Sequence, residues 1–174
     1  MISAVWPHTS YAEDQPLPHL ILTTHVLDRG FQAGSVVGLA AGIVHVGLTA
    51  LRSTAPNFRM SASLLTRSTG FGGIVGFSSM ALMLPVRMAG KEIIEWQDRS
   101  WRLLENKGQM EVDTWSTMGE LLGIGTTTAL VRKNGMLLRR PGFVNIIGGA
   151  GLGGLAGIIG YMGWRYGVNG GHTD

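Results

Sequence analysis

The stretch GFQAGSVVGLAAGIVHVGLTAL, residues 30–51, decides the fold. No charged residue lies between Arg29 and Arg52, so 22 residues run uncharged. A helix needs ~20 such residues to cross ~30 Å of hydrocarbon. Within the stretch Gly30, Gly34, Gly38 and Gly42 recur at every fourth position. That spacing stacks them on one helix face. In water each interior glycine would cost a helix roughly 1 kcal/mol relative to alanine. A flexible loop does not fit, because the residues between are mostly Val, Leu, Ala and Ile, not Ser, Pro or Asn. In a bilayer, small residues let two backbones approach. Dispersion and weak Cα–H contacts then hold the helices together where no hydrophobic drive acts between them. The four glycines read as a helix-packing stripe.

Composition agrees. Charged residues are 14% of the 174-residue chain, against roughly 25% in soluble domains. Glycine reaches 27 residues. A chain of this length is one domain or one bundle. It holds no cysteine, which excludes disulfides, iron–sulfur clusters and thiolate zinc sites. The net charge of +3 and pI near 9.7 raise the question of nucleic acid. However, the basic residues sit at the ends of apolar segments, as membrane topology requires, and not on one continuous surface. No nucleic-acid partner is expected.

Outward from that stretch, residues 1–29 read as a polar N-terminal segment with Pro7, Pro16, Pro18, Glu13, Asp14 and Asp28. It lacks the basic and apolar regions of a secretory signal. It is too acidic for a mitochondrial presequence, so mitochondrial targeting would be internal. His19–His25 is a candidate short entry helix. A second span is expected at 68–86, with Ser68, Gly72 and Gly76 on its stripe and Pro85 in its last turn, where its cost is small. Residues 91–105 read as an amphipathic interfacial helix. Glu95–Arg99 and Asp98–Arg102 are favourably ordered i,i+4 pairs, and Ile93, Ile94, Trp101 and Leu104 form the apolar side. A third, weaker span at 114–131 carries Gly119, Gly123 and Thr127, and a fourth at 142–164 carries Asn145, Gly149, Gly153 and Gly157. Residues 165–174 are a polar tail. The four stripes form a loose internal repeat. The expected fold is an all-α membrane protein with four short glycine-rich transmembrane helices and one interfacial helix, its membrane domain covering 30–164.

Loops 52–67 and 132–140 hold seven Lys/Arg and no acid, whereas the other side holds seven over a much longer stretch. The positive-inside rule places both termini on the outer side and the two basic loops inside.

Few motifs carry chemistry. Gly149–Gly154 matches the GxGxxG pattern. A dinucleotide fingerprint also needs a βαβ unit and a later acid, for which no room follows. Glu120 is the one acid inside a span, which marks it as a possible intramembrane polar site needing a partner. A structural role is the favoured reading, a proton or ion site the other. His45 is the second candidate, expected to hydrogen-bond across helices. His8, His19, His25 and His172 lack metal-ligand spacing. No nucleophile elbow, phosphate loop or intraspan carboxylate pair is present. No catalytic residue, metal or cofactor is expected, and the protein reads as a non-enzyme.

Four glycine-striped spans with two basic loops on one side resemble the Tim17/Tim22/Tim23 family of mitochondrial inner-membrane proteins. The resemblance covers about residues 29–165 and is one of architecture. Ala55-Pro-Asn-Phe58 resembles the start of the family motif, Arg67 is near its arginine, and Gly72–Gly76 resembles its end. The motif's aspartate is absent, with Phe71 in its place. The resemblance implies a multi-pass protein of the mitochondrial inner membrane with both termini in the intermembrane space. Its partners would be other membrane subunits of a large complex and lipids, with cardiolipin suited to the basic loops. The missing aspartate points away from an import channel. It favours a non-catalytic accessory subunit of the membrane arm of respiratory complex I. The alternatives are a translocase component and a small transporter using Glu120.

Overall fold

The computed structural model describes residues 6–52, 58–134 and 142–171. Among these residues all regular structure is helical. Five helices follow a short 3-10 turn: α1 (Pro18–Arg52), α2 (Phe58–Met88), α3 (Ile93–Glu105), α4 (Lys107–Asn134) and α5 (Phe143–Met162), the last continued by a π-helical turn at Gly163–Val168. Pro18–Arg52, Ser61–Met88 and Phe143–Val168 are long and apolar enough to cross a membrane. Four spans were expected and three meet that standard. The fourth, α4, has the length at 28 residues. It also carries Lys107, Glu111, Asp113 and Glu120, which lower its apolarity.

Several boundaries move. The polar segment expected to run to residue 29 ends at Leu17, because α1 starts at Pro18 and is 35 residues long. Proline tolerates a first helical turn, where its missing N–H has no acceptor to lose. At 1.5 Å per residue α1 is about 52 Å long, well beyond the ~30 Å of hydrocarbon. Its first twelve residues therefore have polar surroundings to find, and α3 and α4 supply them. The expected loop 52–67 is largely helix, since α2 begins at Phe58. Most of the expected loop 132–140 lies outside the described residues, as do the structures of Ala55–Asn57 and His172.

The helices pair through their stripes. On α1, a Cβ at Gly34 would overlap the Gly72 carbonyl oxygen, and one at Gly38 would overlap that of Ser68. Gly30 meets Gly76 and Met80, and Gly42 meets Ser68. As numbers rise along α1 they fall along α2, so the two run antiparallel. α4 and α5 repeat the arrangement: Gly119 faces Gly153, Gly123 faces Gly149, and Gly157 lies on the Trp115 backbone. Thr127 fills the place of a glycine opposite Gly149. A further set joins the two pairs. Gly70 meets Val144 and Gly148, Gly148 meets Thr66, and Gly151 packs on Ser35 and Thr69. The adjacent Gly148 and Gly149 thus serve two neighbours, α2 and α4. The glycines of the GxGxxG pattern are all spent within this mid-helix packing.

α3 lies across one end. Gly90, at φ +71°, makes the turn into it. Trp96 packs on a cluster of Leu22, Leu84 and Met88. The Trp101 indole N–H donates to the Thr9 carbonyl at 2.9 Å, and the Gln97 amide donates to Glu13 O at 2.6 Å, so the N-terminal segment is strapped over the helix. The expected Asp98–Arg102 pair forms at 2.9 Å. The expected Glu95–Arg99 pair does not: Lys91 takes Glu95 at 3.2 Å, and Arg99 turns to the Met88 sulfur. Ile93 and Ile94 are exposed, and the buried side is centred on Ser100 instead. Trp115 and Trp164 stack at 6.2 Å at the same end of the molecule. Tryptophans gathered at one end are what a membrane–water boundary favours.

Candidate functional site

Polar residues recur on α1 at His25, Asp28, Arg29 and Gln32, one helix face. Gln109, Asp113 and Glu120 do the same on α4. The two faces meet in a seam at the α3 end. Asp113 is its hub and is only 13% exposed. One carboxylate oxygen accepts from Arg29 Nη2 at 2.5 Å, and the other lies 2.8 Å from His25 Nδ1. The Gln109 amide nitrogen sits 2.8 Å from His25 Nε2. An amide NH₂ can only donate, so Nε2 accepts. The proton is therefore assigned to Nδ1, which donates to Asp113.

Arg29 also donates to Gln32 Oε1 at 2.9 Å. That contact orients the Gln32 amide, whose NH₂ faces two acids. It donates to Asp28 Oδ2 at 2.7 Å and reaches Glu120 Oε1 at 3.5 Å. Asp28 and Glu120 thus sit side by side on one amide. Among the described residues the seam holds three carboxyl groups against one guanidinium, and that guanidinium is aimed at Asp113. Buried carboxylates need hydrogen bonds and a counter-charge to be tolerated. The hydrogen bonds are present, but the counter-charge is incomplete.

Two hollows meet here. One of about 680 Å³ is bounded by all four long helices; Phe31, Ile74, Phe77 and Ile147 are among its apolar walls, and Asp28 and Glu120 also line it. A smaller one of about 200 Å³ lies under Trp6, with His25, Asp28 and Asp113 in its lining. Asp28 and Thr24 belong to both.

The two sequence candidates are not brought together. Glu120 has Gln32 and Asp28 as neighbours and packs over Gly154. His45 is exposed on the outer face of α1, thirteen residues past Gln32 and about 20 Å along the helix. The cross-helix hydrogen bond expected of it is not found among the described residues. The glycines at 30, 34, 38, 42, 72, 76, 119, 123, 149, 153 and 157 all lie at helix contacts within the chain. Asp28, Arg29, Gln32, Asp113 and His25 were not singled out from sequence. Their signal was a polar stripe at helical spacing on α1 and another on α4.

Among the described residues no group of His, Asp and Glu is arranged to hold a metal. No curated protein and no solved structure matches the chain. Residues 8–159 match the model of a family described as protein of unknown function (DUF1757). That match takes in α1 to α4 and nearly all of α5, and with it the whole polar seam, so the chain belongs to the DUF1757 family.

Proposed function

We propose that the protein is a four-span, non-catalytic subunit of a mitochondrial inner-membrane assembly, placed as an accessory subunit in the membrane arm of complex I. Both termini would face the intermembrane space, on the α3 side. One observation carries the structural over the transport reading: the polar network is one-sided. It runs from Gln109 to Glu120 and stops. Beyond it α1 meets α2 through glycine backbones and Ser68, and the buried polar side chains further along among the described residues are the neutral Ser35, Thr69 and Asn145, so no buried titratable group there continues the network toward the far end of the bundle. The outer faces carry Val37, Val44, Val75, Leu82, Leu121 and Leu122, all exposed, and these suit lipid tails or apolar partner helices. The architectural resemblance supplies the mitochondrial assignment.

The second reading is a translocase component, favoured by the hollow between the helices, whose mostly apolar lining includes Asp28 and Glu120. Blue-native separation of detergent-solubilised mitochondria discriminates. Migration with complex I is expected. Migration with a translocase, or alone, would contradict the leading reading.

A further inference from the structure

The hollow bounded by all four long helices has a chemistry that the subunit role does not use. Its volume of about 680 Å³ lies within the ~300–1,000 Å³ typical of small-molecule sites. Its surface is almost wholly apolar, with Phe31, Ile74, Phe77 and Ile147 in its walls. Two carboxyl groups, Asp28 and Glu120, interrupt it on one side. One Gln32 amide serves both acids, well at 2.7 Å for Asp28 and poorly at 3.5 Å for Glu120. The amide oxygen is taken by Arg29, and Arg29 itself by Asp113.

We propose that this hollow binds a membrane amphiphile whose head is a protonated primary amine. The ammonium would bridge the Asp28 and Glu120 carboxyls, and the apolar body would lie between α1, α2 and α5. The charge is complementary, since the seam has more carboxyls than cations. The donor count also fits. An ammonium has three N–H groups and can serve both acids at once. A divalent cation fits worse, because it wants six or more oxygen ligands and the remaining walls are hydrocarbon. A neutral lipid would fill the volume without engaging either carboxyl.

The test uses the full-length protein in phosphatidylcholine vesicles and a long-chain primary amine carrying a photoreactive diazirine. Crosslinks are mapped by mass spectrometry. Labelling is expected in α1 around Phe31 and in α5 around Ile147. Dodecylamine should compete, and dodecanol should need about tenfold more to do the same, the difference expected for one charge-assisted hydrogen bond. Glu120→Gln should lower labelling by a similar factor while thermal stability is retained. Equal competition by the alcohol and the amine would overturn the proposal, leaving a nonspecific lipid cleft. So would unchanged labelling of Glu120→Gln. The competition arm needs no variant, so it decides even if the substitution unsettles the fold. Neither arm depends on which complex the chain joins.

Discussion

Gly34 and Gly72 exclude each other's side chains: a Cβ built on either one would fall on the carbonyl oxygen of the other. The pair sits at the middle of the α1–α2 contact, with Gly30–Gly76 on one side and Gly38–Ser68 on the other. Backbone lies against backbone, so no side-chain rotation can relieve an added atom. Gly34→Leu should therefore separate the two helices inside the chain. Overpacking of this kind typically costs ~1–3 kcal/mol. Gly38→Leu should act the same way, destabilising the bundle before it affects any partner. Gly47 is the control: the same helix, with nothing within 4 Å of its Cβ. Gly47→Ala should be neutral or stabilising by up to ~1 kcal/mol. Thermal unfolding of the purified protein in detergent compares them. Equal midpoints for Gly34→Leu and Gly47→Ala would mean that the stripe is not a contact.

The second stripe predicts the same for α4 and α5. A Cβ at Gly153 would overlap the Gly119 carbonyl, whereas Gly125 and Gly163 are open. Gly153→Leu should expose α4 to protease faster than wild type, and Gly125→Ala should not. Equal digestion rates would detach α4 from α5.

Asp113 and Asp98 are both ion-paired, with different expected costs. Asp113 is 13% exposed and holds two donors, Arg29 and His25. Asp113→Asn would leave Arg29 without its carboxylate in a sheltered place, a change expected to destabilise by ~1–3 kcal/mol after allowing for the partial exposure of Arg29. Asp98 pairs with the exposed Arg102 one turn away, and Asp98→Asn should cost no more than ~0.5 kcal/mol. Denaturation of the two variants in the same detergent checks the ordering. An equal loss would demote the seam to a surface feature.

The strap over α3 hangs on the Trp101 indole N–H and Thr9 O, at 2.9 Å. Trp101→Phe keeps an aromatic ring but removes the donor along with the pyrrole half of the indole, and the lost hydrogen bond alone is worth ~0.5–1.5 kcal/mol. Limited proteolysis should then cut within residues 6–17 several-fold faster, with the rest of the chain unaffected.

The helices and their contact faces were legible in the sequence because both follow from local period. Uncharged runs gave the three helices long and apolar enough to cross a membrane, and glycines at every fourth residue gave the stripes. What escaped was whatever depends on a distant partner. Residues 18–29 read as a polar segment with only a short entry helix at His19–His25, yet they form the first turns of α1, and His25 and Arg29 meet Asp113, more than 80 positions away. Glu120 was visible as a costly acid, but its neighbour Asp28 lay in what read as a loop. Glu95 had two basic candidates at four-residue spacing, and local spacing could not say that Lys91 would win over Arg99. The Gly70–Gly148 contact was hidden because each residue lies off its own stripe.

The central claim is that α4, the least apolar of the long helices, crosses the membrane with the other three. The chain has no native cysteine, so single cysteines report position cleanly. The direct measurement places one at Arg52, one at Lys91 and one at Gly135, each in an otherwise unchanged chain in sealed membrane vesicles of known orientation. A membrane-impermeant maleimide then reads the side. If α4 crosses, Lys91→Cys reacts from one side, and Arg52→Cys and Gly135→Cys react from the other. If Gly135→Cys reacts from the same side as Lys91→Cys, α4 does not cross, and the four-span account is wrong.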